Sequence, residues 1–143
     1  MIVRINSKEN ELALIVRSNF QKDGLQFFTD DQASQQLGYS NREAGYVIPP
    51  HFHNPVKREI YNTVEVLLIK SGRVRIDFYD ENQDYLESYI VSQGDVVLIA
   101  LGGHGFEMLE ASEIIEIKQG PYVDDKDRTR FQQIDKNQVK IIS

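Results

Sequence analysis

The strongest constraint on the fold is a succession of short apolar runs separated by turn residues, occupying residues 64–117. Runs of this length, bounded by Gly, Asn, Asp and Ser, read as strands of an antiparallel all-β sandwich or barrel. Val64-Glu65-Val66-Leu67-Leu68-Ile69 stops at Lys70-Ser71-Gly72, and residues 74–79 then alternate apolar and polar side chains. That pair is expected to be a hairpin, with Gly72 supplying the turn. Asp80-Glu81-Asn82-Gln83-Asp84 turns the chain into residues 85–91, and Ser92-Gln93-Gly94-Asp95 turns it again into residues 96–99. Residues 106–109 and 114–117 read as the last hairpin.

The amino-terminal third is less regular. Leu12, Leu14, Ile15 and Val16 fit either a strand or the start of a short helix. Residues 25–29 and 35–39 are weaker strand candidates, and the polar tail after Gly120-Pro121 offers Arg128, Arg130 and Phe131 as docking points. With no repeat and no long linker, the expectation is one domain over residues 1–143. It divides into amino-terminal strands (1–44), a motif-bearing core (45–118) and a carboxy-terminal arm (119–143). In the strongest run Glu65, Leu67 and Ile69 share one face while Val64, Val66 and Leu68 share the other. A strand apolar on both faces is buried on both. Its outer face needs cover from the amino-terminal segment or from a second subunit, so a homodimer is expected.

Composition narrows the chemistry. A chain of 143 residues buries roughly 68–70% of its unfolded surface and needs no covalent staples. It has no cysteine, which excludes disulfides, thiolate metal sites and cysteine nucleophiles. A net charge of −6 and a pI near 5.0 argue against nucleic acid or an anionic membrane as partner. The first residues lack the apolar stretch of a signal peptide, and no run reaches the length of a membrane span. A soluble, cytoplasmic protein is expected.

All three histidines fall in two short clusters, His51-Phe52-His53 and Gly102-Gly103-His104-Gly105. Imidazole is the commonest protein ligand for transition metals. His51 and His53 alternate on what reads as a strand, where residues two apart project to the same face, so both rings can reach one ion while Phe52 points away. A glycine-rich turn then delivers His104. The alternative for such a pair is a surface or hydrogen-bonded core role, but one divalent metal inside a β-barrel accounts for all three rings.

These residues resemble the cupin superfamily. Its first motif (glycine, five residues, His-x-His, a short gap, glutamate, six residues, glycine) is matched by Gly45, His51, His53, Glu65 and Gly72. The departure is the gap of eleven residues between His53 and Glu65, where the family has three or four. The second motif is matched by Gly94 and Gly102, with Ala100 in place of a proline, His104 one position early, and Met108 where an asparagine is usual. The resemblance implies a double-stranded β-helix, the jelly-roll or cupin barrel, with a metal in its cleft held by His51, His53, Glu65 and His104. Such a nitrogen and oxygen set suits iron, manganese, nickel, zinc or cobalt alike, and an open coordination position lets the ion polarise a substrate oxygen or activate water. Glu59 lies closer to the histidine pair in sequence than Glu65. Glu65 opens an apolar strand, where an unpaired carboxylate is costly, and Glu59 then reads as a solvated loop residue.

The insertion at residues 54–63 is expected over the barrel mouth, where Lys57 and Arg58 offer cationic contacts and Tyr61 a phenol; a purely solvated loop is the alternative. Phe106 and Met108 share strand parity with His104 and are expected to wall the cavity, whereas Glu107 points the other way. Pro50-His51-Phe52-His53 and Glu116-Ile117-Lys118-Gln119-Gly120-Pro121-Tyr122 are also similar to the WbuC-type cupin-fold metalloproteins of surface-polysaccharide synthesis. That likeness implies a carbohydrate or nucleotide-sugar ligand. The expected function is a metal-dependent enzyme on a small molecule (a sugar, nucleotide-sugar or organic acid), of isomerase, epimerase or dioxygenase type. A non-catalytic metal or sugar sensor is the alternative.

Overall fold

The computed structural model describes the backbone of residues 1–143 and every side chain except that of Asp125. The chain is all-β, built from β1 (Ile2–Ser7), β2 (Asn10–Val16), β3 (Gly24–Phe27), β4 (Gly38–Asn41), β5 (Glu65–Ser71), β6 (Arg73–Tyr79), β7 (Tyr85–Ser92), β8 (Val96–Ile99), β9 (Gly103–Met108), β10 (Glu113–Lys118) and β11 (Ile141–Ile142). The ambiguous segment at Leu12 is therefore strand. Among the described residues the strands form three sheets, ordered β1-β2-β8-β5-β10, β11-β7-β6-β9 and β3-β4, and none closes into a barrel. No helix among the described residues is long and apolar enough to cross a membrane. The chain falls into two compact units, residues 1–20 with 62–143, and residues 21–61.

The first unit is a sandwich of the five- and four-stranded sheets. Leu67, Ile69, Val97, Ile99, Ala13 and Ile15 from one sheet meet Val74, Ile76, Phe78, Tyr89 and Val91 from the other in a single buried cluster. Burying each larger side chain stabilises the unit by about 1.5–3 kcal/mol. Strand β5 runs between β8 and β10, so its period of two is fixed on both flanks. Leu67 and Ile69 face the core, as the alternation predicts, and Val66 falls in an outer row with Leu98 and Leu14 that is also buried.

Two of the expected hairpins are absent, although their strands are present. β5 and β6 lie in different sheets, as do β9 and β10. Only Gly72 separates β5 from β6, too little chain for the two-residue loop that closes a hairpin. The backbone instead turns a corner from one sheet to the other, with Gly72 at φ 83° and packed so closely on Ala111 and Ser112 that a Cβ has no room. Arg73 O accepts from Leu109 N at 2.9 Å and from Ser112 Oγ at 3.3 Å, so the crossing after β9 is stacked on the crossing before β6. Within residues 64–118 the chain does form a hairpin at β6–β7.

The outer face of the four-stranded sheet carries a buried polar layer. Asp77, 0% exposed, accepts from Arg75 Nε at 2.7 Å and Nη2 at 2.9 Å and from Ser88 Oγ at 2.5 Å. Burial opposes its charge, but the hydrogen bonds from Arg75 and Ser88 outweigh that cost and hold the Asp77 carboxyl below its ordinary value. The carboxy-terminal arm lies over this layer. Phe131 packs edge-on against Tyr79 at 5.0 Å, Ile134 N donates to Tyr79 Oη at 3.0 Å, and Lys140 N donates to Tyr85 Oη at 2.8 Å before β11 joins β7 in parallel. Phe131 is thus the docking point expected of it.

The second unit holds the β3–β4 hairpin, in which Gly38 leaves room for the Phe27 ring. Residues 42–64 carry no strand or helix. The strand expected at His51-Phe52-His53 is therefore not formed. Pro49 and Pro50 precede it and Pro55 follows closely, and proline withholds the amide a ladder needs.

Asp77→Ala takes from the buried Arg75 guanidinium one of its two carboxylate partners, leaving Glu107 at 2.6 Å, and a loss of about 3 kcal/mol in urea unfolding is expected. Replacing both, Arg75→Met with Asp77→Leu, is expected to recover most of that loss. A single-variant cost below about 1 kcal/mol would contradict the buried-pair account.

Candidate functional site

Strand register brings two of the four expected ligands together. On β9, His104 stands opposite Phe78 of β6, whose ring is in the core, so the imidazole is turned to the interior. On β5, Glu65 stands opposite Ile99 of β8, another core residue, and is turned inward too. Their side chains meet with His104 Nε2 3.1 Å from Glu65 Oε2, at 25% and 13% exposure. A hydrogen bond to a charged acceptor contributes about 1.5–3 kcal/mol. His104 Nδ1 is buried with no hydrogen-bond partner. The hydrogen bond from His104 lowers the Glu65 carboxyl below its ordinary value, against burial, which raises it; the charges of His104, Lys118 and Arg128 lower it further.

Phe106 and Met108 stand opposite Ile76 and Val74, both core residues, so they share the interior face as their parity predicts. The Phe106 ring lies 5.3 Å from that of His104. Glu107 is on the far face, 2.6 Å from Arg75 Nη1 and 3.3 Å from Lys136 Nζ. Between the two candidate carboxylates, Glu65 is the one against a histidine. Glu59 forms an exposed pair with Lys57 at 3.3 Å, the solvated-loop role expected of it.

In the second unit His51 and His53 face each other edge-on, ring centroids 5.5 Å apart, and both are exposed. His51 Nδ1 lies 3.0 Å from Pro49 O. A carbonyl can only accept, so His51 Nδ1 is the donor in this contact. Arg58 and Tyr61 belong to the same irregular stretch and are exposed, Tyr61 at 90%. Among the described residues no three His, Cys, Asp or Glu side chains form a group that could hold a metal ion.

Two charged residues on the same sheet face as Glu65 escaped the sequence reading, and both are exposed. Lys118 stands directly opposite Glu65 on β10 and Glu116 opposite Leu67, which puts both on the inner face. Their signal was the alternation of Ile114, Glu116 and Lys118, masked by the continuous appearance of Ile114-Ile115-Glu116-Ile117. Gln119 was also overlooked; its Oε1 accepts from Val64 N at 2.7 Å and fixes the chain just before Glu65.

Because the folded Glu65 carboxyl titrates below its ordinary value of 4.5, its contribution to stability is complete above that pH. It is lost as pH falls through the lower folded value. The stability gap between wild type and Glu65→Gln should therefore be constant near neutrality and close in acid, as read by urea unfolding at a series of pH values. A gap that widens in acid would contradict the assignment.

Compared with known protein families, curated proteins and solved structures, the chain matches none.

Proposed function

We propose that the protein is a metal-dependent enzyme of the cupin type, acting on a small molecule such as a sugar, a nucleotide-sugar or an organic acid. The observation that carries this is the convergence of Glu65 and His104 in the interior. Two donor atoms each about 2.1 Å from one ion stand about 3.0–3.4 Å apart at bond angles of about 90–110°, and the separation here is 3.1 Å. The proposed ligands are His51, His53, Glu65 and His104, a set that suits iron, manganese, nickel, zinc or cobalt. The Pro49 contact occupies His51 Nδ1, and a neutral ring would then offer Nε2 to an ion. When bound, such an ion supplies a Lewis acid for a substrate oxygen or an activated water.

The proposed architecture is a double-stranded β-helix. Supporting it are the pairings β5–β8, β5–β10, β6–β7 and β6–β9, with the chain passing from sheet to sheet at Gly72 and again after β9. Phe106 and Met108 would wall the cleft on the apolar side, with Arg58 and Tyr61 at its mouth. A soluble cytoplasmic setting belongs to the same proposal. So does a homodimer, for which the exposed Ile115 and Ile117 on β10 offer an apolar strip.

Protein purified without an affinity tag is expected to carry about one first-row transition ion per chain by elemental analysis. The double variant His51→Ala, His53→Ala should lose it while remaining folded by circular dichroism. Undiminished metal affinity in that variant would remove the proposal. Sedimentation equilibrium is expected to return twice the chain mass, and a monomer at all concentrations would remove the homodimer.

A further inference from the structure

We propose that the open edge of β10 is a self-association surface, on which the strand pairs antiparallel with β10 of a second copy in the register that sets Ile117 against the partner's Ile117. This gives the homodimer reading above its interface and rests on that reading. It draws nothing from a bound metal or from residues 21–61.

β10 ends the five-stranded sheet, with β5 on one side and, among the described residues, no strand on the other. An open edge offers a row of amide and carbonyl groups to any strand that comes alongside. The outer face of this edge is apolar. Ile117 stands opposite Val66 of β5, and the row continues through Leu98 of β8 to Leu14 of β2. Those three are 7%, 3% and 0% exposed, whereas Ile117 is 55% and Ile115 is 47% exposed. A row that is buried across three strands therefore runs out into solvent at the fourth.

The other face of β10 selects the partner and the register. Glu116 and Lys118 share it and pair with each other at 3.4 Å, an exposed contact of little net worth. With a two-fold axis at Ile117, Glu116 of each copy stands opposite the partner's Lys118, so four charges alternate in sign. Ile115 of each copy then lies diagonal to the partner's Ile117, a separation that long side chains span. Moving the axis to Glu116 sets glutamate against glutamate, and moving it to Lys118 sets lysine against lysine; like charges directly opposite are destabilising. An edge guarded by lysines alone repels a copy of itself. This one carries a charge of each sign and accepts one.

The test exploits the absence of cysteine from the chain. Ile117→Cys and, separately, Ile115→Cys are made in the full chain, oxidised with diamide and compared by non-reducing gel electrophoresis. In the proposed register the two thiols of Ile117→Cys face each other, at the Cα separation of about 4.4–6.8 Å that a disulfide needs. Those of Ile115→Cys are offset along the strands by roughly 13 Å. Ile117→Cys is expected to cross-link at least ten times faster than Ile115→Cys. In sedimentation equilibrium, Glu116→Lys is expected to weaken the dimer at least tenfold and the added Lys118→Glu to restore it, with both variants folded by circular dichroism. Equal cross-linking at the two positions, or a dimer indifferent to Glu116→Lys, overturns this inference and leaves the homodimer standing. A wild type that is monomeric at all concentrations removes the homodimer and this interface with it. Should Glu116→Lys not fold, the two cysteine variants decide alone.

Discussion

The ladders on either side of β5 decide what the interior contains. Because β8 and β10 both bond to it, β5 cannot slip by a residue without sending Leu67 and Ile69 out of the core. That same lock turns Glu65 inward, since it precedes Leu67 by one period. A carboxylate is thus carried into a partly buried position by its apolar neighbours and not by any preference of its own. Once there it must be met by a donor, and β9 supplies His104 from the opposing sheet. The pair stands where the hydrophobic core ends and solvent begins, and both sheets are needed to form it.

The polar layer on the other side of the four-stranded sheet obeys a different logic. Arg75, Asp77 and Ser88 are hydrogen-bonded to one another, with Glu107 ion-paired to Arg75. At the Glu65 end, His104 Nδ1 remains buried and unpartnered. Satisfied buried networks rigidify a fold, and groups left with unused capacity are the ones that merit a functional account.

Much of this was legible in the sequence. The strands from Glu65 onward follow the alternation closely, and parity alone placed Phe106 and Met108 on the side of His104 and Glu107 on the other. The preference for Glu65 over Glu59 rested on the cost of a buried carboxylate; Glu65 lies against His104, and Glu59 is exposed beside Lys57. Partner choice was not legible, because a period of two says which residues share a face and nothing about which strand lies alongside. Gly72 could have been read as a corner had the strand ends been known to one residue. The stretch around His51 failed as a strand because proline chemistry on both sides outweighed the alternation of the two histidines. The position of Lys118 opposite Glu65 went unnoticed because it depends on the register between β5 and β10.

The strand order has a consequence for how the molecule comes to exist. β2 is neighbour to β8, and β5 to β10, so the central ladders join segments far apart along the chain. Leu14 waits for Leu98, and Val66 for Ile117. Closure of long loops must precede any reward from such contacts, which slows folding. During synthesis the first two strands therefore emerge with an apolar face and no permanent neighbour. The five-stranded sheet is assembled only when most of the polypeptide has left the ribosome, and that interval is when the nascent chain is most exposed to aggregation.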